Sequence, residues 1–531
     1  MFLSKAPTGI VVRHLSTPNF KMTFHHKIID KIAASLVLAI AMSMSTGCQH
    51  TNAWLNNGKR VGPNYSQPSA AVADSYIDHN RPGSLIIDMS QDANAEWWKV
   101  FNDPDLNSLI DQLKQENLSL KAASYRIKEA RHQRNIASAN LFPQSQKATA
   151  AASHTQISRN SGAAFPGAPL TVNDLSIGFD ASWEVDLWGR IGRSIVAADA
   201  QLEAQVHDYN FAMVTLIGDV ASLYIQIRAF DERIALAQEN VTIQEGSLDI
   251  AQKRFDQGRT DKLDVLQAES NLATTKSLVP QFELARRQSL NALSILIGVP
   301  PSGVPFLAEA RGTIPFVPAQ AAVGIPASLL LRRPDIMAAE RNMAAQFEQI
   351  GISEAALYPT LAVSGTLGWD ATRLSNVFES ASYNGTIAPG FSWNILNYGR
   401  LKEAILVEES RFQQIQADFE NTVLNAQREV EDGLIEFVKK QEQYQFNLQT
   451  TKANKESVKL ALVSFTEGKS DFGRVFVVQA NLVVSQDQLV DTRASIALAL
   501  IKTYKALGGG WETSSASPTV ESAAAAFPSE F

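Results

Sequence analysis

The chain is poor in the residues that catalysis and metal binding draw on. It has one cysteine and eight histidines in 531 residues, and no histidine lies beyond His207. That leaves no ligand set for zinc or another metal held by nitrogen and sulfur. No Gly-x-Ser-x-Gly nucleophile turn occurs. Gly468-Lys469-Ser470 copies the end of a phosphate-binding loop, but Val463 stands where the loop's first glycine belongs. Positive charge is not in excess: the net charge is -7, which does not suit a protein that grips duplex nucleic acid. Paired acids such as Glu408-Glu409 and Glu431-Asp432 fall on helical stretches and read as solvated faces. Beyond the N-terminal leader, no unbroken apolar run reaches the roughly 18 residues that a membrane-spanning helix needs. A chain of this kind crosses a membrane only as strands of a closed barrel. No cofactor is expected, and the chain does not read as an enzyme.

The single cysteine is informative by its place. Lys27 and Lys31 precede the apolar run 32–42, and Ser45-Thr46-Gly47 lead into Cys48. A basic start, an apolar middle and a small-residue junction make a secretory leader. The junction resembles the bacterial lipobox, in which cleavage before the cysteine is followed by attachment of diacylglycerol to its thiol. Ser45 departs from that pattern, which prefers leucine there. Gln49 after the cysteine looks like an outer-membrane address. Residues 1–47 are thus a signal peptide, with Met22 an alternative start that gives a leader of ordinary length.

The rest of the chain is written twice. Arg254-Phe255-Asp256-Gln257-Gly258-Arg259-Thr260-Asp261 returns as Ser464-Phe465-Thr466-Glu467-Gly468-Lys469-Ser470-Asp471, and Asn271-Leu272 as Asn481-Leu482. Ser182-Trp183 with Gly189-Arg190 returns as Ser392-Trp393 with Gly399-Arg400, again 210 residues on. Leu141-Phe142-Pro143 matches Leu357-Tyr358-Pro359, and Pro104-Asp105-Leu106 matches Pro334-Asp335-Ile336. Each copy predicts a helix (about 104–141 and 334–357) stopped by proline, two strands, and two long helices broken at a glycine. The expected organisation is a lipid-anchored segment 48–95, a first repeat 96–299, a proline-rich linker 300–326, a second repeat 327–509, and a disordered tail 510–531.

The strand segments alternate. From Leu175 to Leu187 the odd positions are Leu, Ile, Phe, Ala, Trp, Val and Leu, while the even ones are polar or glycine. Segments 361–370 and 387–395 do likewise, and 146–158 does so weakly. Four such strands cannot close a barrel, but three chains would pool twelve, an even number of the kind outer-membrane barrels use. The segment from Arg190 to Gln257 holds no proline, and 68 helical residues span roughly 100 Å. Val220, Ile227, Ile234, Val241, Leu248 and Phe255 repeat every seven residues along it, a coiled-coil signature. The fold class expected is mostly α with a small β part: long coiled-coil hairpins forming an α-barrel, plus four strands per chain toward a trimeric twelve-strand transmembrane β-barrel.

This duplicated layout resembles the TolC family of outer-membrane efflux proteins. Leu330-Leu331-Arg332-Arg333-Pro334-Asp335-Ile336 with Ala339-Glu340 is similar to the signature of its OprM/NodT lipoprotein branch. So are Trp97-Trp98 with Phe101-Asn102-Asp103, and the Gly258 turn with Leu263-Asp264-Val265-Leu266-Gln267-Ala268-Glu269. The resemblance covers residues 60–510. It implies a homotrimer in the outer membrane with a periplasmic helical barrel and an equatorial belt built from 300–326 and both chain ends. The partners it implies are outer-membrane lipid, a periplasmic adaptor protein and a proton-driven inner-membrane pump of the resistance-nodulation-division class. The function implied is the exit duct of a tripartite efflux pump. The alternatives are the outer-membrane channel of a type I protein-secretion system and a non-channel coiled-coil structural lipoprotein.

Gly258 and Gly468 mark the reversals of the helix pairs. The tips around them, with Arg254, Phe255, Arg259, Thr260, Asp261, Phe465, Lys469, Ser470 and Asp471, are expected to dock the adaptor, or only to cap helices. Many relatives carry an aspartate nine residues after the second glycine. Here Val477 takes that place and Gln267 the matching place of the first copy. An apolar gate of Phe472, Phe476 or Val477, with Arg474 tied to an acid such as Asp264, is one expectation. Burial of the same residues between helices is the other.

Overall fold

The computed structural model describes Trp54, Leu55, and residues 57–69, 72–73, 77, 95–160, 167, 169–301, 307, 312–317 and 331–511. Contacts divide the chain into Met1–Val61 and Gly62–Phe531, and the long elements all lie in the second unit. The signal peptide, Cys48 and most of the linker 300–326 lie outside the described residues.

After a short 3-10 turn at Trp97–Phe101 come α1 (Pro104–Glu116), α2 (Leu118–Ala139), β1 (Ser145–Gln156), β2 (Thr171–Val185), α3 (Arg190–Asp256) and α4 (Lys262–Leu296). The second repeat gives α5 (Pro334–Ala355), β3 (Thr360–Ala371), β4 (Tyr383–Ser392), α6 (Arg400–Thr466) and α7 (Phe472–Ala506). The single helix expected over 104–141 is two. Asn117 is extended, at φ -62 and ψ 122; its Oδ1 accepts from the Leu120 N–H at 2.8 Å, and its Nδ2 donates to the Leu296 carbonyl at 2.5 Å. One asparagine side chain therefore starts α2 and ties the break to the end of α4, which no helix-propensity reading would reveal.

The helices are held by three bands of packing. At the base, Trp97, Trp98, Leu109, Tyr224, Leu293 and Tyr504 belong to one large apolar cluster, with Trp97 stacked on Tyr504 at 5.5 Å. Gly510, expected in the disordered tail, instead sits under both tryptophans, where a Cβ would come within 3.3 Å of Trp97 Nε1. Arg333 of the Arg-Arg-Pro-Asp segment is 4 % exposed; it pairs with Asp335 and Glu429 at 2.8 and 3.0 Å and donates to the Ala506 carbonyl. It thus fastens the start of the second repeat to its end. At the far end, Ala251, Val265, Phe465, Phe472 and Val475 form a small apolar core. Between these bands apolar residues such as Leu272, Val458 and Leu482 share the interior with a run of buried polar ones: Asn240, Gln244, Ser247, Asn271, Gln479 and Gln486.

The heptad positions of α3 are buried at Val220, Ile227 and Ile234 but only half-buried at Val241, Leu248 and Phe255. Ala237, Gln244 and Ala251 take over the seam. A helix of 3.6 residues per turn drifts about 20° per heptad, and over this length the buried stripe moves off its first column. Half of the most apolar window of α3 is buried in the chain; its hydropathy serves packing.

Candidate channel sheet and helical tips

The four strands form one antiparallel sheet in the order β1-β2-β3-β4. Its register decides what the sheet can face. Ile177 stands opposite Ala150 and Trp369, Phe179 opposite Ala148 and Leu367, and Trp183 opposite Val363. On the next strand Leu361, Gly365 and Trp369 stand opposite Phe391, Ile387 and Tyr383. Directly opposed residues share a face, so the alternation adds into one face that is apolar in its middle rows across all four strands, from Ala148, Ala150 and Ala152 of β1 onward. The reverse face carries Lys147, Asp180, Ser182, Ser364, Thr366 and Thr386 in the same rows. One-sided apolarity over strands of 10 to 15 residues matches strands that place lipid outside and water inside. The weakly alternating segment 146–158 forms a strand as far as Gln156, and among the described residues β1 and β4 each have one neighbour.

Aromatic side chains gather at the two ends of this sheet. Trp369 meets Phe378 and Tyr383 edge-on at 6.0 and 6.2 Å. At the helical end, the Trp183 indole donates to the Leu141 carbonyl at 3.1 Å, and Trp393 to the Leu357 carbonyl at 2.9 Å. The two repeats therefore close the same bond at matching residues, each onto its own proline-terminated helix. Girdles of this sort sit at membrane–water interfaces.

At the opposite end lie the two reversals. Gly258 and Gly468 adopt φ +69 and +77. The Arg259 N–H reaches the Arg254 carbonyl at 2.8 Å and the Lys469 N–H the Ser464 carbonyl at 2.9 Å, the same helix-ending turn twice. The structure brings the tips together. Arg254 lies over the Phe465 ring at 4.5 Å from its centroid and donates weakly to the Arg259 carbonyl at 3.4 Å. Thr260 bonds Asp264, Lys262 lies over the Phe255 ring, and Lys469 pairs with Glu467. Asp471 caps α7 through the Arg474 N–H at 3.2 Å, whereas Asp261 makes no side-chain cap. Arg259, Asp261, Lys469 and Asp471 are exposed; Phe255, Thr260 and Ser470 are half-buried.

The expected gate residues separate. Phe472 is fully buried and packs edge-on against Phe465 at 5.3 Å, so within the chain it belongs to the small apolar core at the tip. Phe476 is half-buried against the same core. Val477 is 53 % exposed and Arg474 is exposed. Asp264 is taken by Thr260, and no Asp264–Arg474 ion pair forms among the described residues. An aromatic at the first position of α7, within reach of the aromatic three residues before the glycine, is the signal that places Phe472 in this small core. No group of histidine, cysteine or acidic side chains among the described residues could hold a metal ion.

Comparison with known proteins agrees with this geometry. The profile of the outer membrane efflux protein family matches residues 109–299 and 325–509. The chain is 29 % identical over 425 residues to the pyoverdine export outer membrane protein OpmQ of Pseudomonas putida, covering 80 % of this chain and 89 % of that one. It is 27 % identical to nodulation protein T of Rhizobium leguminosarum bv. viciae, over 85 % and 90 % of the two chains. Among solved structures it superimposes on the outer-membrane channel OprN with a TM-score of 0.77 at 29 % identity, over 85 % of this chain and 99 % of that one.

Proposed function

The chain belongs to the outer membrane efflux protein family, and from that premise we propose how its parts make a duct. It is an outer-membrane exit channel of efflux systems and performs no catalysis. Three chains share one barrel of twelve strands, with the helical hairpins continuing the tube into the periplasm. The observation that carries this reading is the sheet. One face is apolar through its middle rows, the reverse face is mostly polar, and among the described residues its two outer strands lack a second neighbour. A sheet with open edges has no place in lipid, because each unpaired backbone group there costs several kcal/mol. Further copies of the chain satisfy those edges.

Cys48 carries the lipid anchor. The tips around Gly258 and Gly468 meet a periplasmic adaptor, which joins the duct to an inner-membrane pump of the resistance-nodulation-division class; the pump supplies the energy. Val477, with Phe476 behind it, lines an apolar constriction that closes by excluding water, and Arg474 pairs with an acid of the neighbouring chain's hairpin. Native mass measurement in mild detergent should give three copies, and the same preparation should conduct in a planar bilayer. A monodisperse monomer that conducts fully would overturn the shared barrel.

A further inference from the structure

The two hairpins are equal in length. α3 and α6 each span 67 residues and α4 and α7 each span 35, with starts and ends displaced by the same 210 positions. Any contact that the first repeat makes on the second therefore has a counterpart, which the second repeat would make on the first repeat of the next subunit. Inside the chain the polar seam is filled. Asn271 Nδ2 donates to Gln479 Oε1 at 2.9 Å, and Gln479 Nε2 donates to Ser247 Oγ at 2.7 Å, with all three side chains buried. The counterparts of Ser247 and Asn271 are Ser457 and Asn481, the same residue types; the counterpart of Gln479 is Glu269. Glu269 and Asn481 are exposed and Ser457 is half-buried. The substitution suits the chemistry. A carboxylate accepts from both a serine hydroxyl and an asparagine amide, whereas the amide of Gln479 accepts one bond and donates the other.

A second pair of positions repeats the pattern at the base of the sheet. Trp188 stacks on Tyr358 at 4.7 Å and donates to the Pro359 carbonyl at 2.6 Å, joining the first repeat to the second. Its counterpart Tyr398 is 96 % exposed, and Phe142, the counterpart of Tyr358, is 69 % exposed. Both halves of the missing contact lie open on one chain, which identifies the occupant as a second copy.

We propose that Glu269 of each subunit seats its carboxylate between the Ser457 hydroxyl and the Asn481 amide of the adjacent subunit, with Tyr398 of that adjacent subunit stacked on Phe142. The inference rests on the shared-barrel reading and supplies the contact that reading lacks. Near the tips it replaces the neutral amide of the seam within a chain by a charge at each seam between chains, so the two kinds of seam differ in chemistry while agreeing in geometry.

The test is chemical cross-linking of the full-length protein in membranes, with Glu269→Cys and Ser457→Cys combined and a short bis-methanethiosulfonate as bridge. Each single variant serves as a blank for Cys48. Glu269 is exposed and Ser457 half-buried outside the cores, and cysteine is close to serine in size, so folding is preserved. Dimer and trimer bands should appear on denaturing gels. Glu283→Cys with Ser457→Cys should give none, since residue 283 lies 14 positions, or about 21 Å, further along α4. Monomer alone from the 269/457 pair, in a preparation whose native mass is three chains, would overturn the contact and leave the trimer standing. A native mass of one chain would remove the trimer and the contact together. As a second readout, Glu269→Lys should lower the temperature at which the trimer dissociates in detergent, and Glu269→Gln should keep it close to that of the parent. Equal values for Lys and the parent would count against the contact.

Discussion

At the scale of single residues, the tip shows how far a pattern can be read and where it stops. The glycines of both reversals were legible, because only a positive φ explains a glycine repeated between two helical stretches. Which of Phe472, Phe476 and Val477 turns inward was not, since all three are apolar and lie within two turns of one helix. The structure separates them by contact: Phe472 has Phe465 as an edge-on partner, and Val477 has none of the core. Phe472→Ser should therefore cost about 3 kcal/mol or more of stability, as large-to-small changes in packed cores do, seen as a lower melting temperature with resting conductance unchanged. Val477→Ser should leave melting nearly unaltered and raise resting conductance and vancomycin sensitivity. If Phe472→Ser alone opened the channel, the placement of the gate would be reversed. Burial also holds His207 below its ordinary pKa of 6.5, with Glu203 opposing that shift and Arg341 adding to it. The folded chain then binds this proton less readily than the unfolded one. Stability contributed here is lost as pH falls from 6.5 toward the lowered value. His207→Gln should flatten that part of the acid limb in a melting series.

At the scale of elements, the long helices were the most legible part, because a proline-free stretch with a seven-residue repeat admits little else. The first of them ends at Asp256, one residue short of the stretch expected from Arg190 to Gln257, and both reversals fall at the glycines Gly258 and Gly468. Less legible was β1: it bears few large apolar side chains, and its strand conformation comes from pairing with β2 along twelve opposed positions from Ser145 to Gln156. The break at Asn117 was hidden for a related reason, since its two partners are a local N–H and a carbonyl nearly 180 positions away. Both reversals should tolerate the same changes. At Gly258 no atom lies within 4 Å of an added Cβ, so Gly258→Ala costs only the left-handed backbone, about 1 kcal/mol, and Gly258→Asn costs less. Chemical denaturation followed by helical ellipticity would check the order Gly, Asn, Ala.

At the scale of the whole molecule, the duplication was visible as ordered matches 210 positions apart, and the family resemblance followed from it. Closure was only implied, because one chain holds four strands and, in the shared barrel proposed above, the partners of β1 and β4 come from other copies. If lipid is attached at Cys48, Cys48→Ala should accumulate uncleaved precursor and lose fatty-acid labelling while trimers still conduct, since the sheet anchors the protein independently; labelling that persists would exclude this cysteine. The equal arms of the two hairpins also act as a gauge. Removing seven residues from α3 and α4 alone would draw one tip back by about 10 Å and, in the proposed trimer, leave three high and three low teeth around a rim of six. Removing the same seven from all four long helices would keep the rim level and merely shorten the tube. Insertions and deletions should therefore be inherited in matched sets of four, and a relative with a longer or shorter periplasmic reach should show the change in every arm or in none.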